Sequence, residues 1–120
     1  MHEYGIAKDV ISHVLVEADR YKASEVKQIK LDVGPLAMVN KDQLMFCLKA
    51  VSKDTIAEGM SVELGSLPVE IICPEKHVFQ IDKPIDDVFR FLTSLRCPIC
   101  GDKASIKSGR EIILKEITAI

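Results

Sequence analysis

Residues 73–101 read Cys73-Pro74-Glu75-Lys76-His77, then 19 residues, then Cys97-Pro98-Ile99-Cys100-Gly101. Thiolates and imidazoles are the donors zinc prefers, and a turn after Cys-Pro directs the side chains on either side of it inward, so two such turns converge on one tetrahedral ion. The second turn has the regular Cys-x-x-Cys spacing. The first does not: position 76 is Lys76, a cation at neutral pH and a poor ligand, while His77 follows one residue later and binds metal as the neutral imidazole. Spacing and chemistry together nominate Cys73, His77, Cys97 and Cys100 as a Cys3His zinc site. Two other readings of the same residues stay open. One is a zinc held by three cysteines with water or an outside ligand in the fourth place; the other is a metal-free Cys97–Cys100 redox pair. A redox pair stands at a helix start after a buried strand, whereas Gly101-Asp102-Lys103 after Cys100 is turn chemistry. A closed tetrahedral site is structural, so zinc is expected to fold this segment and to catalyse nothing.

On the N-terminal side of this segment the chain is strongly patterned. Ile6, Ala7, Val10, Ile11, Val14, Leu15, Ala18 and Tyr21 recur at steps of three and four, which predicts an amphipathic helix over about 4–22. His13 lies on its flank as a solvated histidine without a role. Ile29, Leu31 and Val33 alternate with Gln28, Lys30 and Asp32, a half-buried strand over 26–33 that Gly34-Pro35 breaks. Asn40 as N-cap, with Gln43 three residues on, opens a second helix over about 41–57. On it Leu44, Cys47, Leu48 and Val51 form the apolar face, so Cys47 is a buried, inert thiol. Met60, Val62 and Leu64 alternate as a second strand, and Leu67–Ile72 is a third apolar segment. From 73 to 100 periodicity weakens and prolines punctuate the chain, which suggests a loop-rich subdomain held by something other than a core. The tail 109–120 is β-rich and returns to the first sheet. The expected class is α+β: two helices packed on a small mixed β-sheet, with an inserted zinc-ribbon-like domain. The expected division is a main domain over 1–72, completed by 104–120, and a zinc-binding domain over 73–103.

Composition fits one modest core. The chain has 120 residues, 48% of them hydrophobic, with 16 Lys and Arg against 18 Asp and Glu. A chain of this size buries roughly 65% of its unfolded surface. The near-neutral balance speaks against nucleic acid or an anionic membrane as main partner, since both need clustered cationic excess. Met1-His2-Glu3-Tyr4 lacks the basic region and apolar run of a secretion signal, and no apolar stretch is long enough to span a bilayer, so a cytoplasmic protein is expected.

The terminus carries a second chemical possibility beside that of a frayed end. The Met1 α-amine, the His2 amide nitrogen and the His2 imidazole can chelate one cation in consecutive small rings, and Glu3 is close enough to assist. Such nitrogen-rich tetragonal geometry suits Ni(II) or Cu(II) and leaves positions open for handing the ion on.

With these features in order along nearly the whole chain, the sequence resembles the HypA/HybF nickel-incorporation metallochaperones that mature nickel-iron hydrogenases. The resemblance rests on the Met-His-Glu start, the first helix, Asp32-Val33-Gly34, Asn40-Lys41-Asp42-Gln43-Leu44, Glu58-Gly59-Met60, both cysteine turns and Gly109-Arg110-Glu111-Ile112. It implies an α+β nickel-binding domain with a zinc domain inserted before the last strand. It further implies Ni(II) bound by Met1, His2 and Glu3, structural zinc, and work with the GTPase HypB in delivering nickel to the hydrogenase large subunit. The family's first turn is normally Cys-x-x-Cys, so Lys76 is a departure for which His77 is the substitute. The protein is then no enzyme. A zinc-ribbon interaction module without nickel is the alternative; a zinc hydrolase using Glu75 as base is disfavoured because thiolates quench the Lewis acidity it needs. Either a monomer or a homodimer with exchanged elements can arise from a domain split by an insertion.

Overall fold

The computed structural model describes residues 2–81 and 83–120. Its contacts divide into two compact units: one runs through Asp32 and adds Val39–Gly65 and Ile113–Ile120, the other comprises Val33–Met38 and Ser66–Ile112.

In the first unit helix α1 spans His2–Arg20 and α2 spans Lys41–Ser52. Ala7, Ile11, Val14 and Ala18 on α1, and Leu44, Cys47 and Leu48 on α2, are buried, the three-and-four spacing that makes one face of a helix apolar. Cys47 is thus the buried core thiol expected, and His13 is exposed. Strand β1, Val26–Val33, buries Val26, Ile29, Leu31 and Val33. It is the centre of a three-stranded sheet between β2, Ser61–Ser66, and β6, Ile112–Ala119. The sheet is mixed. Hydrogen bonds between Glu25 and Ile120 at one end, and from the Gly34 N–H to the Glu111 carbonyl at the other, set β6 antiparallel to β1. On the other side Lys30 meets Glu63, and Asp32 lies against Gly65, so β2 advances in step with β1. The α+β architecture expected from the sequence, with its inserted Cys/His domain, is the one observed.

Two boundaries shift for local reasons. α1 ends at Arg20, where Lys22 takes a left-handed φ of 54° and the Ala23 N–H reaches back to the Ala18 carbonyl, a Schellman-type stop. α2 stops at Ser52 rather than 57. There the Ser52 and Thr55 hydroxyls bond backbone carbonyls and Asp54 turns left-handed at φ 64°, so polar side chains compete with helix propagation. At its other end Asn40 is the N-cap, its Oδ1 accepting the Gln43 N–H at 2.9 Å, as the capping pattern predicts.

The second unit is more ordered than its sequence suggests. Strand β3, Val69–Ile72, pairs antiparallel with β4, Val78–Ile81, and with β5, Ser105–Ser108. Helix α3, Val88–Thr93, starts at an Asp87 cap that accepts the Arg90 N–H at 3.0 Å. Ile71, Leu95 and Ala104 form a small core, with Phe79, Ile81, Phe91, Leu92 and Ile106 packed against it. The expectation of a loop-rich segment without a core is therefore corrected: the apolar residues sit in elements of four to six residues, too short to show a period. By its contacts the unit runs from Ser66 to Ile112 and adds Val33–Met38. The strands that follow the two cysteine turns, β4 and β5, both pair with β3.

Candidate metal centre

Both cysteine turns are hairpin tips. In the first, the Cys73 N–H donates to the His77 carbonyl and the Lys76 N–H to the Cys73 carbonyl at 2.9 Å. In the second, the Cys97 N–H donates to the Asp102 carbonyl and the Gly101 N–H to the Cys97 carbonyl at 2.9 Å, with Arg96 bridging to Lys103 behind it. Each tip requires one left-handed residue. Gly101 supplies it at φ 73° without strain; in the first turn the same conformation falls on Lys76, at φ 69°. The left-handed residue thus stands four positions after Cys97 but only three after Cys73. The second donor of the first turn accordingly comes one position later, and it is His77. Lys76 is exposed.

The tips bring Cys73, His77, Cys97 and Cys100 together, with all donor atoms within 4.8 Å of one another. The ring of His77 faces the sulfurs through Nδ1, 3.4 Å from Cys73 Sγ and 3.5 Å from Cys97 Sγ. In a tetrahedron with usual zinc bond lengths, a sulfur and a nitrogen ligand are about 3.6 Å apart. The two distances from the His77 ring are close to that value, and the four side chains could hold one metal ion. Backbone N–H groups address the sulfurs as well: His77 N–H to Cys73 Sγ and Ile99 N–H to Cys97 Sγ, each at 3.4 Å. Such donors to sulfur could be anticipated only from the turn type.

The electrostatics split the Cys97–Cys100 pair. Burial works to raise the Cys97 thiol, but the N–H groups of Cys100 and Ile99 and the His77 ring outweigh it and hold it at about 6. At Cys100 the Asp102 N–H favours the thiolate, yet desolvation and the sulfurs of Cys97 and Cys73 push it up to about 12. One thiolate forms readily and the next is resisted by the charge of the first, the situation a dication relieves.

The amino-terminal residues lie in the other unit. Met1 is outside the described residues. His2 opens α1 and is exposed. Glu3, half-buried, accepts the backbone N–H of Asn40 through Oε2 at 3.2 Å, and this bond holds its carboxyl below the usual carboxylate range. The contact ties the first turn of α1 to the N-cap of α2, a link no local sequence signal announces. Among the described residues, no other group of three or more His, Cys, Asp or Glu side chains converges as the Cys/His cluster does. Among the described residues no helix is long and apolar enough to cross a membrane.

Residues 1–119 match the family model described as hydrogenase/urease nickel incorporation, metallochaperone, hypA. The chain is 33% identical to the hydrogenase maturation factor HypA of Methanosarcina acetivorans, over 98% of this chain and 94% of that protein. It is 36% identical to the factor of the same name from Chlorobium phaeobacteroides, over 98% of each. Its fold matches the solution structure of the Ni metallochaperone HypA from Helicobacter pylori with a TM-score of 0.76 at 19% identity, covering 100% of this chain and 98% of that one. With a family match over nearly its full length and a fold to accompany it, the chain belongs to the HypA family of nickel-incorporation metallochaperones.

Proposed function

We propose that this protein carries Ni(II) for hydrogenase maturation. In this reading the Met1 amine and the His2 amide and imidazole nitrogens bind the ion with help from Glu3, and a HypB-type GTPase and the hydrogenase large subunit are its partners. It works as a carrier rather than a catalyst, in the cytoplasm. The observation that carries the reading is membership of the nickel-incorporation family by a chain that opens with Met-His-Glu. The chemistry is consistent with transfer. The first N–H groups of a helix have no intrahelical acceptor, and helix ends fray at low cost, so a chelate built on the first residues of α1 forms and releases without disturbing a core. Glu3, kept ionised by the Asn40 N–H, places a carboxylate beside that terminus.

Zn(II) is assigned to Cys73, His77, Cys97 and Cys100, where it supplies a cross-link between the two hairpin tips. The residues themselves do the positioning: Lys76 and Gly101 make the turns, and the His77 and Ile99 N–H groups orient the sulfurs. The domain division follows, with nickel on the unit that holds α1 and zinc on the unit that holds α3.

The test is metal stoichiometry and nickel titration on tag-free protein with Met1 intact. One tightly held zinc is expected, plus one weaker nickel that His2→Ala abolishes and His77→Ala leaves in place. Zinc should fall in His77→Ala. Equal nickel uptake by wild type and His2→Ala would remove the carrier reading and leave a zinc interaction module.

A further inference from the structure

The four donors of the Cys/His cluster differ in access. Cys73 and Cys97 are 4% and 3% exposed. Cys100, at the tip of the second turn between exposed Ile99 and Gly101, is open to solvent. With lysine at position 76, the first turn offers only one thiol, so Cys97 and Cys100 are the sole pair separated by two residues. The remaining free thiol, Cys47, is buried in the other unit.

We infer that Cys100 is a modification site for small oxidants of the peroxide class, and that its oxidation through Cys97 expels the zinc. The inference rests on the zinc reading above. Reactivity of a cysteine follows thiolate character and access, and metal ligation supplies the first while exposure supplies the second. Hydrogen peroxide is the oxidant. The Cys100 sulfur attacks one peroxide oxygen and the O–O bond breaks, giving a sulfenic acid and hydroxide, which takes a proton to become water. The Cys97 thiolate then attacks the Cys100 sulfur, an S–S bond forms, and the displaced hydroxide takes a second proton. Two thiolates lose two electrons between them, one peroxide gains two, two protons are consumed and two waters leave. The two sulfurs already lie within 4.8 Å of each other, and closing the turn to an S–S bond of about 2.05 Å joins them.

The consequence is specific to this chain. A four-thiolate site oxidised at one Cys-x-x-Cys keeps two thiolates; here only the Cys73 thiolate and the neutral His77 ring remain, with one negative charge between them. That is too little to hold a dication against water.

The experiment uses the full-length zinc protein. Its zinc is counted first, then released zinc is followed with a chromogenic chelator during peroxide titration, and every cysteine is mapped by alkylation and mass spectrometry. One zinc per peroxide consumed, a Cys97–Cys100 disulfide, Cys73 and Cys47 still reduced, and rebinding of zinc after thiol reduction are expected. Limiting N-ethylmaleimide on untreated protein should label Cys100 at least about tenfold ahead of Cys73 and Cys97. Zinc retained under peroxide, a disulfide through Cys73, or equal labelling of the three cysteines would overturn the inference while leaving the zinc site standing. Absence of zinc at the first count would instead overturn the zinc reading, and the inference with it.

Discussion

The two units of this molecule are stabilised by different physics. In the unit of α1, α2 and β1, Val14, Val26, Ile29, Leu31, Leu44 and Leu48 are essentially sealed from solvent, so its stability follows from apolar area removed from water. In the unit of β3, β4, β5 and α3, Ile71, Leu95 and Ala104 form a small buried cluster edged by half-buried apolar side chains, Val33, Leu36 and Val69 are buried as well, and so are Cys73 and Cys97. That is a small core to set against the chain entropy of some fifty ordered residues. The difference teaches where to look for metal: a unit with few buried carbons and converging sulfurs is the one a metal cross-link would stabilise most.

The largest expected effect breaks the comparison at that point. Stripping the metal with a strong chelator, or Cys97→Ala, should unfold the second unit, a loss on the order of 10 kcal/mol of apparent stability. Amide resonances of 66–112 should collapse to the random-coil region while those of α1, α2 and β1 keep their dispersion. If both sets survive, the second core suffices alone. Next in size, Leu44→Ala should lower the stability of the first unit by about 3 kcal/mol in denaturant titrations, because it leaves a cavity at a residue with no exposed surface, and zinc content should not change. Gly34→Ala should cost about 2 kcal/mol in the second unit. A Cβ there would run into the carbonyl of Gly109, which also accepts the Leu36 N–H, so backbone must move. Thermal melts beside Gly5→Ala, whose Cβ meets open space, would separate this clash from a general effect of side-chain addition.

The smallest effect refines the contrast between the two turns. Lys76 holds a left-handed backbone that Gly101 adopts freely. Lys76→Gly should therefore raise stability by about 0.5–1 kcal/mol, the left-handed penalty reduced by glycine's greater freedom when unfolded. Zinc affinity by competition with a chromogenic chelator should rise with it. An unchanged or lower value would mean that the lysine side chain contributes something the backbone strain conceals.

How far the sequence could be read depended on element length. α1 and β1 carry enough residues for their periods to stand out, and the Asn40 cap was visible because capping is a local hydrogen bond three residues long. β4, β5 and α3 were not visible. Elements of four to six residues draw their order from each other, as in the pairing of Val69 with Ile81 or Ile71 with Ile106, and those pairings are long-range facts. The end of α2 was misjudged because Ser52 and Thr55 turn their hydroxyls on the backbone, a choice between two local bonds that tertiary context settles.

By itself, the sequence determined the donor types and their spacing, the amphipathic faces, and the kinship with nickel-incorporation proteins, since all of these are written in residue identity and short-range order. Only the tertiary structure decided that Nδ1 of His77 joins Cys73 and Cys97, that Glu3 answers the Asn40 N–H, and that Cys100 alone among the cluster's cysteines is exposed. The physical reason is common to the three. Each depends on the angle at which two segments distant in the chain meet, and that angle is set by strand pairing and packing rather than by either segment.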